Sequence, residues 1–82
     1  MYEIVFSEKA KKQFLKLEKD NQKRILNALE RIKIRPEAYV TKLVGDISYK
    51  FRVGDYRIIM DIDKVRLLIL VIKVGHRRNI YR

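Results

Sequence analysis

The chain has 82 residues, enough for one small core, and residues 1–82 read as a single domain. No Cys and a single His exclude disulfides and thiolate or zinc sites, and neither a metal nor a cofactor is expected. Twenty Lys and Arg against ten Asp and Glu give a net charge of +10, so the expected partner is anionic: nucleic acid, an acidic protein or an anionic membrane.

Tyr2 to Phe6 alternates weakly and predicts a short strand. Ser7 offers a helix N-cap, with Glu8 in the first turn. Ala10, Phe14 and Leu17 then recur at helical spacing, and that helix is expected to stop near Lys19. Asp20 or Asn21 can cap a second helix, whose apolar stripe is Ile25, Ala28, Leu29 and Ile32 with Leu26 beside it. Pro36 ends it, because the residue before proline is pushed out of helical geometry.

After a connection over 36–46 the period changes from 3.6 to 2. Ile47, Tyr49, Phe51 and Val53 alternate with Ser48, Lys50 and Arg52, and Gly54-Asp55 is a two-residue hairpin signal. Tyr56, Ile58, Met60 and Ile62 continue the alternation on the next strand, up to a turn expected at Asp63-Lys64. Leu67 to Val74 predicts a last, central strand, and Gly75 opens a basic tail. The order is β-α-α-β-β-β: an α+β domain with a two-helix hairpin packed on one face of a small antiparallel sheet. The longest apolar run, Leu67 to Ile72, is far too short to span a bilayer, and charge at Glu3 and Glu8 is unlike a signal peptide. A cytoplasmic domain with no membrane partner is expected.

Residues 47–82 carry nine basic and three acidic side chains and no Glu, against eleven and seven in residues 1–46. With Gly54-Asp55 as the turn, Arg52 faces Arg57 and Lys50 lies two residues back on the same face. Like charges directly opposite repel, so this face is either simply solvated or an anion site. In the tail, His76, Arg77 and Arg78 precede Tyr81; its ring either anchors the chain end or stacks on an unpaired base. Asp61 and Asp63 are thin ligation for Mg²⁺. Lys, Arg and Tyr supply no strong nucleophile, but RNA brings its own 2′-hydroxyl and needs only deprotonation, charge stabilisation and a proton for the leaving oxygen.

With Asp63-Lys64 as the turn, Leu68, Leu70, Ile72 and Val74 share the cationic face, where the helices give no cover. An apolar strand beside a cationic site marks an interaction surface. Leu68, Leu70 and Ile72 are therefore expected to bind a protein partner that is amphipathic and acidic on one side.

The element order, the KLVG stretch at 42–45, SYKFRVGDYRII at 48–59 and VGHRRNIYR at 74–82 resemble RelE-type toxins of toxin–antitoxin modules, in the RelE/ParE superfamily. The resemblance runs over essentially the whole chain. It implies a ribosome-dependent mRNA endoribonuclease that cuts in the A site without a metal and is held inactive by a cognate RelB-type antitoxin. It further implies Lys50 as general base, Arg52 as transition-state stabiliser, Arg57 as clamp on the scissile phosphate, Arg77 as general acid or leaving-group stabiliser, and Tyr81 as the ring that stacks on the mRNA base. Lys73, His76, Arg78 and Arg82 are further expected RNA contacts. Arg52 cannot be a base, because guanidinium stays protonated. A sister branch uses a Glu base before the second strand, but residues 38–45 contain no carboxylate. The alternatives are a ParE-like toxin that inhibits gyrase, or a binding module for nucleic acid or the ribosome without chemistry.

Overall fold

The computed structural model describes residues 1–78. Along the chain run β1 (Glu3–Phe6), α1 (Glu8–Leu15), α2 (Lys19–Ile32), a 3₁₀ turn (Pro36–Ala38), β2 (Thr41–Lys42), β3 (Tyr49–Val53), β4 (Tyr56–Asp63) and β5 (Leu68–His76). The strands form one sheet in the order β1-β5-β4-β3-β2. The α+β class and the two-helix hairpin are as expected, but the sheet is mixed: β1 runs parallel to β5, and the other pairs are antiparallel. Alternation in a sequence tells which face a side chain takes and carries no information on strand direction. The two-residue β2 adds a strand to the expected set.

Ser7 caps α1, its Oγ accepting from the Ala10 amide at 3.0 Å. The helix ends at Leu15, earlier than the stripe suggested, and the Gln22 side-chain amide donates to the Leu15 and Leu17 carbonyls beyond its end. Glu18 occupies the N-cap of α2 without a side-chain bond. Asn21, one of the expected caps, instead donates to the Tyr56 hydroxyl at 3.2 Å. Both stripes pack on the sheet. Ala10, Phe14, Ile25, Ala28, Leu29 and Ile32 meet Phe51, Val53, Ile58, Met60, Ile69, Val71 and Val74 in the core. Phe6 and Phe14 meet edge to face at 5.3 Å between ring centroids.

The position of Val74 corrects the sequence expectation. The β4–β5 register runs Ile59↔Lys73 and then Met60↔Val71, so Ile72 is an extra residue in a β-bulge. The bulge shifts the alternation by one. Val74 is buried opposite Ile58 in the core, and Lys73 stands on the outer face instead. β1 stops pairing at Phe6↔Val71, leaving the rest of that edge of β5 without a strand. Side chains of α1 fill in. The Ser7 hydroxyl donates to the Ile72 carbonyl at 3.0 Å, and the Val74 amide donates to Gln13 Oε1 at 2.8 Å. The second turn is longer than Asp63-Lys64. Asp63 Oδ1 accepts from the Val65 and Arg66 amides, and Leu67 takes a positive φ of 56° before β5 starts.

Candidate nucleic-acid site

The outer face of the sheet, away from the helices, carries the predicted cluster. In the β3–β4 register Arg52 lies directly opposite Arg57, and Lys50 opposite Ile59. Gly54, with φ 59°, makes the turn that fixes this pairing. Across β4, Ile59 pairs with Lys73 and Arg57 with Gly75. The outer face therefore presents one row of Thr41, Lys50, Ile59 and Lys73, and beside it a row of Arg52, Arg57 and Gly75. Lys50, Arg57 and Lys73 are half-buried and Arg52 is exposed. The Arg52 Nε donates to the Gly54 carbonyl at 3.2 Å, which ties its guanidinium to the turn. Among the described residues, neither Lys50 nor Arg52 forms an ion pair with a carboxylate.

A cleft of about 260 Å³ opens over this cluster, lined by Tyr39, Thr41, Lys50, Phe51, Arg52 and Arg57. Such a set can hold a phosphodiester: three cations for the charge, a hydroxyl and an aromatic wall. Tyr39 and Thr41 are absent from the sequence-based set. They lie in the connection over 36–46, where no periodicity signals a face. The hairpin through Gly45, at φ 73°, brings Thr41 back opposite Lys50.

The tail residues divide. The Arg77 amide donates to the Asp55 carbonyl at 2.8 Å, holding Arg77 at the hairpin end of the sheet, beside Arg52 and Arg57. His76 pairs with Tyr56 on the helix-facing side, its ring edge to face with the tyrosine at 5.8 Å, so it is not gathered with the cluster. Its Nδ1 accepts from the Arg78 amide at 3.3 Å, and Arg78 is exposed. Tyr81 and Arg82, with their expected roles, lie outside the described residues. Among the described residues no three His, Asp or Glu gather as a metal site, and no helix is long and apolar enough to cross a membrane.

The opposite end of the outer face differs. Leu70 faces Asp61 and Leu68 faces Asp63, and a shallow depression of about 680 Å³ there is lined by these four with Ile47, Tyr49 and basic side chains. Asp61 accepts from the Ser48 hydroxyl at 2.9 Å. Ile72 is half-buried at the bulge.

A family model described as the ParE toxin of type II toxin–antitoxin systems, parDE, matches residues 4–81. No curated protein matches the chain in sequence. Among solved structures, the RelBE2 toxin–antitoxin complex from Mycobacterium tuberculosis shares the fold at a TM-score of 0.85 and 22% identity, covering 93% of this chain and 98% of that one. The intact RelBE toxin–antitoxin complex of E. coli superposes at 0.81 with 27% identity, over 93% and 96% of the two chains. The archaeal RelE–RelB complex from Pyrococcus horikoshii OT3 superposes at 0.76 with 24% identity, over 95% and 97%.

Proposed function

Because this chain belongs to the ParE toxin family of type II toxin–antitoxin systems, within the RelE/ParE superfamily, we propose that it is a ribosome-dependent mRNA endoribonuclease restrained by a RelB-type antitoxin. The observation that supports this reading most is the cleft where Lys50, Arg52 and Arg57 converge on one open face. A phosphate seated there meets the positive charge of Lys50, Arg52 and Arg57 together.

The reaction asks little of the protein. The 2′-oxygen attacks the adjacent phosphorus, the bond to the 5′-oxygen breaks, and the products are a 2′,3′-cyclic phosphate and a 5′-hydroxyl. Lys50 is the general base, being the one cation of the three that can release a proton to solvent and take another from the 2′-hydroxyl. Arg52 and Arg57 stabilise the charge that builds on the non-bridging oxygens. Arg77, tethered at the same end of the sheet, stabilises the charge on the departing 5′-oxygen, which takes its proton from water. Lys73 extends the charge along the RNA backbone. None of these steps needs a metal. Holding the attacking and leaving oxygens in line is left to whatever presents the RNA, and the ribosomal A site does so. This assigns the ribosome a positioning role.

The antitoxin takes the other end of the outer face. Leu68 and Leu70, with Ile72 at the bulge, offer an apolar strip that the helices leave uncovered. A partner segment lying there and reaching the cations with its acidic side would silence the site by occlusion and by charge.

In cell-free translation with a defined mRNA, the protein is expected to generate fragments with 5′-hydroxyl ends. Intact mRNA overturns this reading. The family description favours one other, a ParE-like toxin acting on gyrase. Loss of gyrase supercoiling together with intact mRNA would establish it.

A further inference from the structure

The cleft has one wall that the proposed chemistry does not use. Tyr39 stands at its rim with 49% of its surface exposed, although a tyrosine ring gains by burial. Its segment is pinned. The Tyr39 amide donates to the Pro36 carbonyl at 3.0 Å and the Ala38 amide to Arg35 at 3.1 Å. Pro36 is buried, and Glu37 pairs with Lys64 at 3.3 Å. Thr41, two residues on, is held opposite Lys50 by β2–β3 pairing. The backbone of Tyr39 is thus held in place, and the half-exposed residue lines the same cleft as Lys50, Arg52 and Arg57. At about 260 Å³ the cleft is smaller than the roughly 300–1,000 Å³ usual for small molecules, as befits one unit of a polymer. A phosphate on the cations leaves its own base within reach of the wall, and in single-stranded RNA that base is free to turn outward.

Resting on the endoribonuclease reading, we infer that Tyr39 is a base-stacking residue of this site: its ring takes the base of the nucleotide whose phosphate lies on Lys50, Arg52 and Arg57. The ligand class is single-stranded RNA, gripped by charge on one side and by an aromatic face on the other. Recognition of this kind tolerates sequence, because every base offers a π face. Tyr39 acts in binding and orientation and takes no proton.

The chain has no Trp, so Tyr39→Trp places a single reporter in the cleft. The probe is a non-cleavable 2′-O-methyl RNA hexanucleotide at low salt, with an abasic oligomer of equal length and charge as control. The hexanucleotide is expected to quench the tryptophan saturably and the abasic oligomer to bind with little quenching. In fluorescence anisotropy with labelled hexanucleotide, Tyr39→Ala should weaken affinity about tenfold, the range measured for one stacked base, whereas Tyr39→Phe keeps it. Equal quenching by both oligomers, unchanged affinity in Tyr39→Ala, or no hexanucleotide binding overturns the inference. The endoribonuclease reading fails separately, when the unaltered chain leaves mRNA intact during translation. Stacking lost with cleavage present sinks only the role of Tyr39.

Discussion

The two ends of the outer sheet face use the same strands and differ in what they display. At the hairpin end β3, β4 and β5 contribute Lys50, Arg52, Arg57 and Lys73, around a cleft with an aromatic wall. At the β4–β5 turn end, β4 and β5 contribute Asp61, Asp63, Leu68 and Leu70 around a broader, shallower depression. The first suits a phosphate, which needs concentrated charge; the second suits a protein, which needs apolar area with a polar rim. Between them lies the bulge at Ile72, where the alternation of β5 shifts so that Lys73 joins the cationic end and Val74 joins the core. One extra residue thus separates two surfaces that a regular strand would have blended.

The sharpest break of this contrast is Arg57→Ala. It should lower mRNA cleavage about 10²–10³-fold, read from 5′-hydroxyl ends in a translation reaction, because it removes charge stabilisation made in the transition state. Lys50→Arg tests the base itself: charge is kept, so RNA affinity should hold while cleavage falls. An active Lys50→Arg protein would move the base elsewhere.

At the turn end, Leu70→Glu should weaken the antitoxin complex by more than about 1 kcal/mol in calorimetry, as loss of an apolar anchor does, and leave cleavage by the free toxin unchanged. Equal antitoxin affinity would mean that the partner docks elsewhere. A smaller effect is expected at Gly54. Alanine there must hold φ 59° and approach an Arg24 guanidinium nitrogen at 3.2 Å from its Cβ, which costs about 1–2 kcal/mol in urea unfolding. Since Gly54 makes the turn that opposes Arg52 to Arg57, cleavage should fall more than antitoxin binding.

The smallest effect belongs to the exposed Glu37–Lys64 pair. The carboxyl is held below its ordinary value, first by a backbone hydrogen bond and then by Lys64; the ammonium is held above its own, first by the hydrogen bond it donates to Glu37. The Glu37 contribution is therefore full above the usual carboxylate range and lost as pH falls through the lowered value. The Lys64 contribution is full below the usual lysine range and lost as pH rises through the raised value. Thermal midpoints of Lys64→Met and the unaltered chain should differ slightly at neutral pH and converge in strong acid; a gap that persists in acid would assign the effect to packing.

The gathering of Lys50, Arg52 and Arg57 on one face was legible because two local rules sufficed: a two-residue turn at Gly54-Asp55 fixes the pairing, and a period of two fixes the face. The helical stripes were legible for the same reason, since 3.6-residue spacing marks a buried side. The bulge was not, because an inserted residue in an unbroken run of Leu, Ile and Val leaves no compositional trace. Nor was the parallel run of β1, which depends on where the chain returns after two helices. His76 looked cationic by its neighbours Arg77 and Arg78, yet strand alternation turns it toward Tyr56. Tyr39 and Thr41 escaped notice because tertiary return through the Gly45 turn, and no periodicity, brings them to Lys50.

The place of β5 in the sheet also sets a clock. It is an interior strand, flanked by β1 and β4, and it holds the start of α1 through Ser7 and Gln13, yet among the described elements it is the last to be synthesised. Strand β1 and the helices must wait for a partner some 65 residues downstream, a separation already present in the Ser7–Ile72 hydrogen bond. At about 5–20 residues per second that delay is several seconds. During it the nascent chain has no closed core, so the toxin is not yet assembled while it is being made. The same interval leaves the half-built sheet open to a chaperone or to an antitoxin already in the cell, before the toxin first becomes dangerous.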